Sequence, residues 1–280
     1  MAGAAALGAV GAPSFANAEQ LVQPAASSIL SAHRLVTYYG NPWAPGMGIL
    51  GELSQADLVS ALKRRAAQYA AAGSKPVQPA IHMVVTTAQA SPGADGLYRA
   101  RMPASVIDDY AQLAAANGML FIADVQVGRG TVADEIAAIQ SILEQPRVHL
   151  ALDPEFDVWG EKVPGVEIGH MTAAEINHAI GVMASIAAST GQHKILMVHQ
   201  FMASMLPDKG AIGSDPRVDL AVVMDGFGGQ SIKIAHYDTY VRDSSIPFGG
   251  IKLFFDWDTN LMTAAEVLAL TPPPDIVIYQ

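Results

Sequence analysis

The sequence predicts an α/β protein built as a (β/α)8 barrel of TIM type in a single domain, and three observations carry that expectation. Eight short apolar runs recur along the chain. Most are followed by a stretch of helical periodicity, the alternation that calls for parallel strands and right-handed crossovers. The runs are continuously apolar, as strands covered on both faces must be. An open doubly wound sheet is the alternative assembly of the same elements.

In chain order, Leu35–Tyr39 is the first strand, stopped by the Gly/Pro loop that runs from Gly40 to Gly46. Ser54 caps a helix over Gln55–Ala72, in which Leu58, Leu62 and Ala66 fall on one face. The second strand, Ala80–Thr86, leads into a polar loop from Gln89 to Arg101. Pro103 opens a helix over Ala104–Ala116, stopped by Asn117-Gly118. The third strand, Met119–Val125, is followed by a helix capped by Thr131 and running to about Leu143. Asp134 and Glu135 sit in its first turn, where the helix dipole favours acids.

The fourth strand runs from His149 into Asp153-Pro154-Glu155-Phe156. Thr172 and Glu175 make a capping box for a helix over Ala173–Ser189. The fifth and sixth strands are Lys194–Val198 and Asp219–Met224, with a helix over Ser231–Val241 after the sixth. The seventh is Gly250–Phe255; Thr263 and Glu266 then cap a short helix to Leu270. Ile276–Tyr279 is the eighth, and no helix follows it. The stretch Leu21–Ala32 is expected to take that vacant place or to close the barrel bottom. The domain reading is a signal-peptide remnant over 1–18, an N-terminal extension over 19–34 and the barrel over 35–280.

With 280 residues, 51% of them hydrophobic, the chain is long enough for one large core. A net charge of -10 argues against a nucleic-acid backbone or an anionic membrane as partner. There is no cysteine, hence no disulfide and no thiolate. Residues 2–18 are small and apolar, and Ala16-Asn17-Ala18 fits the small-x-small rule for signal-peptide cleavage. This points to a secreted or surface-held protein, with room for a lipid anchor upstream and no membrane span. Several signatures are missing: the Gly-x-Ser-x-Gly elbow, a phosphate-binding loop, Gly-x-Gly-x-x-Gly after the first strand, and zinc spacings such as His-Glu-x-x-His. No cofactor and no dedicated metal site are therefore expected.

In a barrel of this type the C-terminal strand ends converge on one mouth. Those ends supply Tyr39, Thr86, Asp124, Gln126, Asp153, Glu155, His199, Gln200, Asp225, Asp256, Asp258 and Gln280. Acids close four of the eight strands, and one end carries Asp153-x-Glu155. On a strand those two acids share a face about 6.6 Å apart. A single Asp after a strand more often caps a turn; four of them suggest a site. Glu155 is the expected general acid, its pKa raised by the Asp153 charge, with Asp153 assisting and Asp225, Asp256 or Asp258 as second carboxylate. A separation of about 5 Å from Glu155 would mean retention of configuration, and roughly 6.5–9.5 Å inversion. Tyr38, Tyr39, Trp43, Trp159, Phe227 and Trp257 lie in or beside these loops and are the aromatic candidates for stacking a sugar ring. Lys252 is expected inside the barrel, paired with an acid, while His82 and His149 are read as structural.

Several strings resemble one family along most of the chain. Tyr38-Tyr39-Gly40, Leu152-Asp153-Pro154-Glu155-Phe156, Val198-His199-Gln200-Phe201, Met224-Asp225-Gly226-Phe227-Gly228 and the closing Val277-Ile278-Tyr279-Gln280 are similar to a family of uncharacterised secreted bacterial proteins, often labelled lipoproteins. More loosely, Asp153-x-Glu155 resembles the acid pair of chitinase-like and GH25-type lysozyme barrel glycosidases. That resemblance implies a Glu155 proton donor helped by Asp153. The full chitinase signature is absent, with Ala151 standing in one of its acid positions.

The leading expectation is a secreted glycoside hydrolase cleaving a polysaccharide. A metal-dependent hydrolase, acting on phosphoesters or similar, is the first alternative, with Asp124, Asp153, Glu155, His199 and Asp256 as oxygen and imidazole ligands. A non-catalytic carbohydrate-binding or cell-surface protein is the second, since a barrel fold does not fix chemistry.

Overall fold

The computed structural model describes Met1 and residues 27–280. The expected cleavage site at Ala16–Ala18 lies outside the described residues. The expected barrel is present. Eight parallel strands pair in the order β1 (Arg34–Gly40), β9 (Ile276–Tyr279), β8 (Phe248–Leu253), β7 (Val218–Met224), β6 (Lys194–Gln200), β5 (Val148–Leu152), β4 (Leu120–Val125) and β2 (Val77–Ala88), and a β1–β2 pairing closes the ring. The helices between them are α2 (Gln55–Ala72), α3 (Ala104–Ala116), α4 (Val132–Ala138), α5 (Gln140–Leu143), α6 (Ala173–Thr190), α7 (Gln230–Tyr237) and α8 (Ala264–Leu268).

Three elements differ from the sequence expectation. The polar loop after β2 ends in a short strand, β3 (Arg99–Arg101), paired antiparallel with the far end of β2. Arg101 reaches from it to both oxygens of the fully buried Glu135 at 2.9 Å, which ties the hairpin to α4. The single helix expected up to Leu143 is broken at Ile139, which leaves helical geometry with φ -115° and ψ 12°. The helix expected over 231–241 changes from α to π winding over Asp238–Arg242.

Side chains alternate across each strand, so every strand feeds two cores. Leu35, Ala80, Ile122, Ala151, Met197, Val223 and Ile278 point inward and fill the barrel. Val36, Ile81, Phe121, Leu150, Val198, Val222 and Val277 point outward and pack under the helices. The bottom is closed by α1 (Ile29–Ala32), a single turn capped by the Ser28 hydroxyl. Leu30 inserts fully buried into the inner cluster, and its N–H donates to Asp219 Oδ2 at 2.8 Å. Residues 28–33 therefore close the barrel bottom, one of the two places expected for that stretch.

Candidate active site at the barrel mouth

The inward rows change character toward their C-terminal ends. Tyr39 on β1, His82 on β2, Asp124 on β4, His199 on β6, Asp225 one residue past β7 and Lys252 on β8 are all buried, and they meet beneath the mouth. His82 Nε2 lies 2.7 Å and His199 Nε2 3.1 Å from the same oxygen, Asp124 Oδ2. The other nitrogen of His199 is 3.0 Å from Asp225 Oδ2. Lys252 Nζ approaches that oxygen at 3.1 Å and stands 3.8 Å over the Tyr39 ring. Above this layer opens a cavity of about 510 Å³ whose walls include Tyr39, Gln126, Glu155, Asp225, Lys252 and Gln280. That is the size of a small-molecule site. Phe156, Phe201, Phe227 and Phe254 supply its apolar sides.

The buried groups form an alternating line of charge: Asp124, His199, Asp225, Lys252. Burial by itself would push Asp124 up, but the bonds from His199 and His82 hold it far below the usual carboxylate range. Burial would lower His199; the Asp225 charge, together with its bond to Asp124, raises it to about 10. It is an imidazolium throughout the neutral range. Asp225 is kept low against its burial by Lys252 and His199, and Lys252 is raised against its own chiefly by Asp225. His82 goes the other way: burial lowers it despite its bond to Asp124, so it is neutral. Two negative and two positive charges thus neutralise one another in a largely buried line, as buried ions require.

Glu155 and Asp153 stand outside this line. β5 ends at Leu152, and Pro154, with no N–H to give, starts a 3-10 turn over Pro154–Phe156. The two acids therefore do not share a strand face, which corrects the alternation argument. The turn is tightly held. Gly169 N–H donates to the Glu155 carbonyl at 2.7 Å, and a Cβ at Gly169 would lie 2.1 Å from the Asp157 carbonyl oxygen. Glu155 is raised to about 7, first by burial and then by the Asp225 charge. The expected cause, a charged Asp153, is also corrected: Asp153 is fully buried with Oδ1 unpartnered, and burial followed by Glu155 raises it well above the ordinary value.

The other sequence candidates divide. Tyr39, Gln126, Glu155, Asp225 and Gln280 line the cavity; Asp124, Asp153 and His199 lie buried below or beside it. Five candidates belong elsewhere. Gln200 falls on the outward parity of β6, where its amide donates to the Met202 carbonyl at 3.2 Å and accepts from Lys209 at 2.7 Å. Asp256 lies beyond the end of β8, exposed in a turn. Asp258 is a loop staple, bonded to Gly228 N–H and Phe254 N–H, both at 2.9 Å, and to Lys233 at 3.0 Å. Trp43 and Trp257 are exposed outside the cavity proper. Sequence reasoning named Phe227 but missed His82 and the walls from Phe156, Phe201 and Phe254. His82 shares inward parity with Ala80 and Val84, a signal that places it in the barrel axis.

Among the described residues, His82, Asp124 and His199 offer ligand atoms all within 4.8 Å of one another. A cation there would need His199 to give up the proton that now joins it to Asp124. No helix among the described residues is long and apolar enough to cross a membrane. No protein-family model matches the sequence, and no curated protein matches it either.

Proposed function

We propose that this barrel is a glycoside hydrolase, with Glu155 as proton donor and Asp225 as the partner carboxylate. One observation carries the reading. Two carboxylates line a single cavity, one pushed up to about 7 and the other held low. Pairs whose environments drive their pKa values apart divide into acid and base. Glu155 would protonate the departing glycosidic oxygen. Asp225, kept ionised by His199 and Lys252, would attack the anomeric carbon or activate a water. Asp153 is pushed upward by burial and by Glu155, so the task of stabilising an oxocarbenium-like transition state falls in this scheme to Asp225. The phenylalanine walls and Tyr39 suit the apolar faces of sugar rings. The cleavage pattern at Ala16–Ala18 supports export, and N-terminal sequencing of the cell-free protein tests it.

The function is tested by reducing-end release from a panel of polysaccharides and peptidoglycan. Glu155→Gln and Asp225→Asn should each lower turnover by about 10²–10⁴, the usual scale for acid–base catalysis, with EDTA without effect. Proton NMR of the first-formed anomer distinguishes retention from inversion. The triangle of His82, Asp124 and His199 favours a second reading, a metal-dependent hydrolase in which His82 takes the place given to Asp256. Loss of activity and of thermal stability with EDTA, restored by Zn²⁺ or Mn²⁺, would put it first.

A further inference from the structure

The phenylalanine-lined cavity does not end at its own rim. On one side, Met47, Thr87 and Ala88 are shared with a second cavity of about 370 Å³ that Trp43 and Asn41 also line. This lies over the β1–β2 edge of the mouth. Over the β7–β8 edge, Phe227 is both a cavity wall and the neighbour of Trp257, with ring centroids 5.9 Å apart. β9 separates the two edges in the barrel order. Trp43, Phe227 and Trp257 are each more than 60% exposed, and Phe227 and Trp257 adjoin in one exposed aromatic patch of the kind that marks an interaction site.

Both aromatic edges are held by built-in bonds rather than left loose. Asn41 accepts the Trp43 N–H at 2.9 Å and donates to the Thr87 hydroxyl at 3.0 Å. On the other edge, the buried Asp258–Lys233 pair stitches the loop after β7 to the loop after β8, with Lys233 also donating to the Gly226 carbonyl at 2.6 Å. Exposed aromatics with fixed backbones are stacking platforms.

We propose that the ligand is a linear chain of sugar units lying across the mouth, stacked at one end on Trp43 and at the other on Phe227 and Trp257, with the central unit over Glu155 and Asp225. The proposal rests on the glycosidase reading and adds that the enzyme engages a chain on both sides of the reacting bond rather than a terminal unit alone.

The test measures binding of saccharides of rising length to Glu155→Gln protein by calorimetry, and kcat/KM for the same series with active protein. The variants are Trp43→Ala, Trp257→Ala and Trp257→Phe. Affinity and kcat/KM should climb with length. Each alanine variant should lose about tenfold on long chains, the equivalent of roughly 1.4 kcal/mol of stacking, and nothing on a disaccharide, while Trp257→Phe recovers most of the loss. Length-independent affinity, or equal losses on short and long chains, would overturn the extended site. Saccharide turnover that needs Glu155 but ignores both tryptophans would sink this inference and leave the glycosidase reading standing. No saccharide bound or cut at any length would sink both.

Discussion

The same pair occurs twice along β6 and β7, once at their starts and once at their ends. His193 and Asp219 meet at the bottom of the barrel with Nε2 and Oδ1 2.8 Å apart. Six residues further along both strands, about 20 Å up the barrel, His199 and Asp225 meet at 3.0 Å. At the bottom the aspartate spends its second oxygen on the Leu30 N–H and so seals α1 into the end of the barrel. At the top both cationic partners fall on one oxygen, Oδ2, and the carboxylate forms part of a cavity wall. The chemistry of the pair is the same; what differs is whether structure or open space takes the remaining valence. The two buried lysines repeat the contrast. Lys194, on β6 at the bottom, gives its protons to the carbonyls of Leu143, Gln145 and Val148, and burial lowers it to about 8. Lys252 at the top is balanced by charge and faces the cavity.

The largest break in this comparison should come from His199→Leu. It leaves Asp124 and Asp225 buried without their shared cation, and losing one partner of a buried pair costs about 3–5 kcal/mol. Urea denaturation near neutral pH measures it. The pH dependence has a definite sign. Because the folded pKa of His199 is about 10 against 6.5 unfolded, its contribution is full below 6.5 and is lost as pH rises through about 10.

Glu155→Gln should do the opposite. A carboxyl raised from 4.5 to about 7 binds more protons folded than unfolded, so wild-type stability falls as pH rises from 4.5 to 7. The neutral amide escapes that loss. It should be more stable than wild type by on the order of 2–3 kcal/mol at pH 8 and little different at pH 4. A gain in stability beside a loss of turnover is what a strained functional group gives. Asp219→Asn should cost about 1–3 kcal/mol, the scale of a buried unmade hydrogen bond, with turnover per folded molecule unchanged. Trp257→Ala should shift stability by less than about 0.5 kcal/mol, as exposed positions do.

The barrel was legible because its signals are local: strand runs, Ser54 and Thr172 as caps, and the Thr263–Glu266 box all hold in the structure. The site was legible only as far as strand parity extends. Asp124, His199 and Asp225 are on strands or one residue past them, and they converge. Glu155, Asp256 and Asp258 follow β-strand ends, where parity no longer decides direction; Pro154 turns the first into the cavity, and the last two fall in a loop. Lys252 was expected beside an acid, and Asp225 is that acid. His82 looked structural from its mid-strand place. Its neighbours come from other strands, and no spacing within one sequence encodes them.

The central claim is that Glu155 holds a proton near neutrality while Asp225 in the same cavity does not. Infrared difference titration of wild type against Glu155→Gln reads the carboxyl band of that one group without any substrate. A midpoint near 7, absent from the variant, with no second cavity carboxyl titrating in that range in Asp225→Asn difference spectra, is the result this account predicts. A Glu155 midpoint near 4.5 would contradict it and remove the proton donor from the proposed reaction.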